Sequence, residues 1–516
     1  MTARKVACIL LLLAITVTGC NTQKSVSIPV PEPVYWPTEE WQNSTPEAQG
    51  MDSNLLAQML EEISTDKTGI HSVLVIRNGY FVTEAYFHPY QSGTKIQVQS
   101  ITKSVIGALV GIAIQDGSLK GANEKLLDFF PKRFIANPSH NKSAIRLKHL
   151  LSMSSGFPCQ EFSSSGQGME QSSGWVQYML DLPVDTAPGK TFGYCDGNPH
   201  LLSAILGIRT GMDAREFANQ ELFQPLGIPP VEESDWWTDP QGIPNGGYGL
   251  SLRPIDLAKI AFLYLNNGKW DGRQILPETW TADSTAQYVQ KPEGPGYGYL
   301  WTVYPEEGRY SALGLGGQQI HVYPSRNLIV IVTAALETYV EAPEIEKMID
   351  EHILPAIRTD DPLAENPEGS ARLQAAIDQA ANPILPVPPL PAITGDISGS
   401  VYTFAENPMG WQTLELDFEP GASTAKARLD GIPLQVGMDN IYRFSDTLPG
   451  GDLLLRGRWE DENVFTLDYP YPLTGGTTLG ALGESQFQFK FTGDILEVTA
   501  KQLIFGGEPI VLTGSR

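Results

Sequence analysis

Basic residues are scarce in this 516-residue chain: 35 Lys and Arg stand against 59 Asp and Glu. Nucleic-acid binding needs a basic footprint, so the acid excess removes it from the candidate functions. Cysteine is scarcer still, with four in all, and the seven histidines are scattered. No Cys-x-x-Cys pair and no Cys/His cluster occurs. The sequence therefore supports no metal site and calls for no cofactor. Internal repeats and low-complexity blocks are also missing. So is any apolar stretch long enough to persist as a membrane-spanning helix.

What is present is enough apolar sequence for an ordinary globular protein, in a chain too long for one core. Arg4 and Lys5 precede an apolar run from Val6 to Val17, too short to span a bilayer, which ends in Val17-Thr18-Gly19-Cys20. Small residues directly before a cysteine resemble the lipobox of bacterial lipoproteins. The resemblance implies a signal peptide over 1–20, cleavage before Cys20 and lipidation of its thiol. The expected location is outside the cytoplasm, lipid-anchored to a bacterial cell membrane. Two other cysteines of the exported protein, Cys159 and Cys195, either pair or stay as separate buried thiols.

Residues 21–44 are polar and proline-rich, a tether. Leu55, Leu56, Met59, Leu60 and Ile63 give a helical pattern. Two β-rich runs between His71 and Phe87 flank Asn78-Gly79, a strong hairpin signal. Helices are expected over 145–153, 201–210 and 254–265, the last with Pro254 at its start. A second strand pair spans Gln319 to Ala334 around a turn at 325–327, and Pro343 to Arg358 reads as a closing helix. Residues 359–395 change character: acidic residues give way to Asn382-Pro-Ile-Leu-Pro-Val-Pro-Pro-Leu-Pro391, a stiff linker. Short alternating segments fill 396–516, an all-β domain, barrel or sandwich.

The chemistry centres on Ser100-Ile101-Thr102-Lys103. Apolar residues at Ile101, Val105, Ala108, Leu109, Ile112 and Ala113 have the spacing of a buried helix. Positions three apart share a face, so the Ser100 hydroxyl is expected beside the Lys103 amine at the positive end of the helix dipole. A lysine on an apolar face needs a partner or a lowered proton affinity, and a desolvated lysine suits a serine that must lose a proton.

Two further stretches complete a set: Phe192-Gly-Tyr-Cys-Asp-Gly-Asn-Pro-His200 and Ala312-Leu-Gly-Leu-Gly-Gly-Gln318. Together with Leu150-Leu-Ser-Met-Ser-Ser-Gly156, Pro188-Gly189, Gly246-Gly247 and Tyr297-Gly-Tyr-Leu-Trp301, they make the chain resemble the serine β-lactamase and penicillin-binding-protein superfamily. The likeness covers roughly 45–355 and is strongest to its class C-type esterase, D-peptidase and amide-hydrolase relatives. It implies an α+β fold: an antiparallel sheet flanked by helices with a helical subdomain, over 45–358, before the all-β domain of 396–516.

By the same resemblance, Ser100 is the acylated nucleophile, Lys103 its proton partner and Tyr194 the tyrosine of the family's Tyr-x-Asn motif. The oxyanion donors are the N–H groups of Ser100 and Leu315, with Gly316 beside them. Two departures stand out. Asp196 occupies the motif's asparagine position, with Asn198 as a substitute, and an Asp there is expected to pair with Lys103 and weaken it as a base. Ala312 stands where the family's third motif begins with Lys or His, so carboxylate-bearing substrates lose a charge-assisted contact worth roughly 1.5–3 kcal/mol. That shifts the expectation from β-lactamase or D-Ala peptidase to an esterase or amidase acting on a small-molecule or peptide-like substrate. A non-catalytic binding protein is the remaining alternative. If the segments meet at the cleft, a Cys159–Cys195 disulfide braces the Tyr194 loop, and Trp236, Trp237, Tyr248, Tyr297, Tyr299 and Trp301 are expected to wall it.

Overall fold

The computed structural model describes residues 32–66, 69–159, 163–292, 294–336, 343–445, 453–469, 485–502 and 508–516. The signal-peptide segment and Cys20 lie outside them. Among the described residues no helix is long and apolar enough to cross a membrane.

The amino-terminal half is built on one antiparallel sheet. Its strands are β1 (Ile70–Arg77), β2 (Tyr80–Tyr86), β3 (Val289–Gln290), β4 (Gly296–Tyr297), β5 (Thr302–Tyr304), β6 (Arg309–Gly314), β7 (Gln318–Tyr323) and β8 (Leu328–Ala334), in the order β2-β1-β8-β7-β6-β5-β4-β3. Asn78 and Gly79 close the first hairpin with φ of 52° and 84°, the positive values that a tight two-residue turn demands. Every residue of β1 and β8 is buried because both faces are covered. Alternation divides their side chains. Val73, Val75, Val330 and Val332 join one core with Leu56, Met59 and Leu60 of helix α1 (Ser53–Asp66). Leu74, Ile76, Ile329 and Ile331 join the other, with helix α2 (Ile101–Gln115). Each such side chain withdrawn from water contributes about 1.5–3 kcal/mol, which fixes the register that holds the site.

Helix α2 is apolar nearly all round and buried from Ile101 to Ala113, as a helix at the centre of a domain must be. It packs on helix α3 (Gly197–Thr210), which begins four residues earlier than its apolar pattern indicates. Helix α4 (Pro254–Leu265) has Pro254 at its first turn, as read from sequence. The helix expected over 145–153 is shorter, Leu147–Leu151.

The segment 359–395 is less of a linker than its composition indicates. Helix α5 (Pro367–Ala381) runs through it, capped by Asn366, and buries Leu373 and Ala376 in the α1 core. The spacing of Leu373, Ala376, Ile377 and Ala380 carries that helix; the acidic lead-in and the downstream prolines mask it.

The carboxy-terminal strands form a barrel rather than an open sandwich. Among the described residues, nine of the ten strands from Ser400–Phe404 to Ile510–Ser515 close on themselves where Gly437 pairs with Arg456, and Arg443–Ser445 pairs outside the ring. Tyr402, Phe404, Trp411, Phe465, Phe487 and Phe489 fill its interior. The barrel touches the amino-terminal half at Leu454, Tyr442 and Phe444, which pack on Tyr90 and Ile96, close before Ser100. The His88 ring nitrogen Nε2 meets the Tyr442 carbonyl there at 3.3 Å.

Candidate active site

Ser100 occupies the N-cap position of α2, yet its side chain makes no cap hydrogen bond. The hydroxyl is used otherwise: Lys103 Nζ donates to Ser100 Oγ at 2.8 Å. The backbone leading in is tightly held. Gln99 takes a φ of 51°, Val98 N–H donates to the Leu250 carbonyl at 2.8 Å, and Ile96 and Gln97 pair with Leu252 and Ser251.

Lys103 is 1 % exposed, and three acceptors surround it. Besides Ser100 Oγ, these are the Gly247 carbonyl at 2.7 Å and Asp196 Oδ1 at 2.6 Å. Two of the three N–H donors of the ammonium go to Ser100 Oγ and the Gly247 carbonyl, while Asp196 stands beside it as the counter-charge without a hydrogen bond. The Tyr194 ring lies beneath it, 4.7 Å from Nζ to the centroid. Gly247 must lack a side chain, because a Cβ there would come within 2.9 Å of the Asp196 Cβ.

Asp196 and Asn198 separate cleanly. Asp196 faces Lys103, whereas Asn198 is fully buried inside α3, where its Oδ1 accepts from Ser155 Oγ at 2.8 Å. Asn198 therefore buttresses the Met153–Ser155 turn and does not reach the lysine. Cys159 and Cys195 are joined in a disulfide that ties the same turn region to the Tyr194 loop.

Leu315 and Gly316 lie in the turn between β6 and β7. Gly314, at the end of β6, packs against the Val98 carbonyl and the Gln99 side chain, which brings this turn to the approach to Ser100. Gln318 Nε2 reaches the carbonyls of Leu315 and Ala334, and Leu336 N–H donates to Gly316. The turn is thus fixed before any substrate arrives. Ala312, opposite Ile320 in the ladder, is buried and apolar where a cation was sought.

The aromatic wall is narrower than the sequence indicates. Trp236, Tyr299 and Trp301 are core residues: Trp236 donates its indole N–H to Asn245, Tyr299 stacks on Tyr288, and Trp301 packs between Tyr264 and Tyr310. Their spacing does not distinguish a core ring from a cleft ring. Tyr297 is buried but meets Phe192 and Tyr194 edge-on. Trp237 and Tyr248 form an edge-to-face pair, with Trp237 41 % exposed.

Glu170 was not legible as a site residue. It sits on a short helix (Ser164–Gln171) and accepts from the Tyr248 hydroxyl at 2.8 Å. Burial pushes its carboxyl up, the Tyr248 hydrogen bond opposes this, and the nearby Asp196 charge adds to the rise. No motif spacing connects residue 170 to the rest, so no sequence signal could have found it. Among the described residues no group of three His, Cys, Asp or Glu converges where a metal could sit.

The family model described as Beta-lactamase matches residues 56–354. The chain is 22% identical over 300 residues to a 6-aminohexanoate-dimer hydrolase of Paenarthrobacter ureafaciens, covering 54% of this chain and 74% of that one. It is 24% identical over 294 residues to penicillin-binding protein 4 of Amycolatopsis lactamdurans, covering 49% and 74%. Among solved structures, the octameric penicillin-binding protein homologue from Pyrococcus abyssi aligns with 18% identity and a TM-score of 0.46, over 89% of this chain and 99% of that one.

Proposed function

Because the chain belongs to the Beta-lactamase family, within the serine-hydrolase superfamily, we propose that it cleaves an ester or amide through an acyl-enzyme on Ser100. The observation that carries this reading is the 2.8 Å contact from Lys103 to Ser100, made by a lysine that also holds a carboxylate at 2.6 Å. That ammonium donates toward Ser100 and so orients the hydroxyl rather than deprotonating it. The proton acceptor is then Tyr194, whose ring lies against the same ammonium.

With Tyr194 as its phenolate beside the Lys103 ammonium, Ser100 Oγ attacks the carbonyl carbon and its proton passes to the phenolate oxygen. The negative charge that develops on the carbonyl oxygen is met by the N–H groups of Ser100 and Leu315. Tyr194 returns the proton to the leaving alcohol or amine as the bond breaks. Water then repeats the sequence on the acyl-enzyme, releasing the acid and restoring Ser100. The domain extends over 45–358, with the enzyme exported and anchored through a lipid on Cys20. The buried, apolar Ala312 supports esters and uncharged amides over substrates bound through a carboxylate.

Hydrolysis of p-nitrophenyl butyrate tests the reading. Wild type is expected to turn over, and Ser100→Ala to lose at least about 10³-fold in kcat/KM. Equal rates would contradict it. The relation to penicillin-binding protein 4 keeps a second reading in view, in which the substrate is a β-lactam or D-Ala peptide. Rapid nitrocefin turnover with slow ester cleavage would favour that reading.

A further inference from the structure

Where the barrel meets the amino-terminal half lies a cavity of about 410 Å³, within the range of small-ligand sites. Ile70 and His71 of β1, Leu336 after β8 and Gln379 of α5 line it from one half, Tyr442 and Arg456 from the barrel. Ser100, Lys103 and Tyr194 do not border it. Part of its wall is fixed by backbone. Ala335 N–H donates to the Gly69 carbonyl at 2.9 Å, and Leu336 N–H donates to the Gly316 carbonyl at 3.0 Å. Gly69 has a φ of 73°, and a Cβ there would come within 2.9 Å of the Ala335 carbonyl oxygen.

Two polar groups on this wall lack full partners. The register of β1 against β8 shifts between Ile70 and Ser72, so His71 is the extra residue of a bulge, a feature that re-aims a side chain. Its ring is 7 % exposed and stacks on Tyr90 at 3.7 Å, and Nδ1 has no hydrogen-bond partner among the described residues. Burying a ring nitrogen unpaired is costly, and a polar ligand atom would relieve that cost. Arg456 reaches Asp468 through Nε at 3.2 Å, and its guanidinium carbon lies 4.5 Å from the Tyr442 ring centroid. Its terminal N–H groups have no hydrogen-bond partner among the described residues.

Charge around the cavity favours an anion. No Asp or Glu lines it, in a chain with 59 of them. Asp468 stands outside the lining and is shared between Arg456 and Arg458. The Ala380 carbonyl, at the end of α5, already accepts from His88 N–H at 2.9 Å. Ile63, Phe87 and Ile441 make much of the remaining lining apolar. A guanidinium with open N–H donors beside an apolar chamber suits a carboxylate carried on an apolar chain.

We propose that this cavity binds a monocarboxylate with an apolar chain, its head held by Arg456 and His71 and its chain lying between the two halves of the protein. The site is separate from Ser100 and does not depend on the reaction there.

Calorimetric titration of the purified protein with octanoate, and with octanol as its uncharged counterpart, tests it. Octanoate is expected to bind with a Kd below about 1 mM, and at least about tenfold tighter than octanol. Ser100→Ala should bind octanoate as wild type does. Arg456→Gln should weaken octanoate by about tenfold or more and leave octanol unchanged. His71→Phe lies outside the barrel and should weaken octanoate by about threefold, which keeps the test open if Arg456→Gln does not fold. No binding of octanoate, equal Kd for the two ligands, or an unchanged Kd in either cavity variant would overturn the proposal. Binding lost in Ser100→Ala would overturn it too, because the ligand would then lie in the active site.

Discussion

Lys103, Lys142 and Lys259 are all withdrawn from solvent, and their surroundings differ in kind. Lys142 Nζ donates to the carbonyls of Ala136 at 2.6 Å and Leu180 at 2.8 Å. Lys259 Nζ donates to those of Thr38 at 3.0 Å and Gly227 at 2.9 Å. Burial pulls both below the ordinary lysine range, and the charges of Asp181 and Asp256 only partly offset it. These two tie loops to helices. Lys103 has one carbonyl, one carboxylate and the hydroxyl of the proposed nucleophile. Burial of a lysine is therefore no sign of catalysis; the company it keeps is.

The sharpest way to break the comparison is to remove each amine in turn. Lys103→Met should lower ester kcat/KM by about 10³-fold or more, because orientation of Ser100 and charge beside Tyr194 are lost together. Its melting temperature should move far less than its activity; comparable activity in the variant would place Lys103 with the structural pair. Asp196→Leu leaves an ammonium buried without its counter-charge, and a denaturant titration should show a loss of about 3 kcal/mol.

Lys142→Met should do the reverse of Lys103→Met. Two buried carbonyls lose a charged donor, so stability drops by about 2 kcal/mol while kcat/KM stays within about threefold. An activity loss as large as its stability loss would blur the distinction. The smallest effect concerns another buried base, His71, stacked on Tyr90 at 3.7 Å, whose Nδ1 has no hydrogen-bond partner among the described residues. Burial lowers its pKa from 6.5 to about 3. The unfolded chain thus takes up the proton first. The histidine's contribution is complete above 6.5 and is lost as pH falls toward 3. Between pH 7 and pH 5 that loss reaches up to about 2 kcal/mol, and His71→Phe should flatten the melting temperature over that range.

What the sequence could reveal follows the reach of each interaction. The Ser100–Lys103 pair is local, one helical turn, and the i,i+3 spacing announces it. The Asn78-Gly79 hairpin and the β-rich run from Val73 to Ile76 are local too. Barrel closure is not: it depends on Gly437 meeting Arg456, so alternating strands alone left barrel and sandwich open. The choice between Asp196 and Asn198 needed the helix start, since α3 begins at Gly197 and turns Asn198 inward toward Ser155. Glu170 reaches the site through Tyr248, 78 residues away in the chain.

The most direct measurement is the intact mass of the purified protein after fluorophosphonate treatment, followed by peptide mapping, for wild type, Lys103→Met and Lys142→Met. The account predicts a single adduct on Ser100 in wild type and Lys142→Met, formed very slowly or not at all in Lys103→Met. An adduct elsewhere, or labelling of Ser100 at the wild-type rate without Lys103, would contradict it.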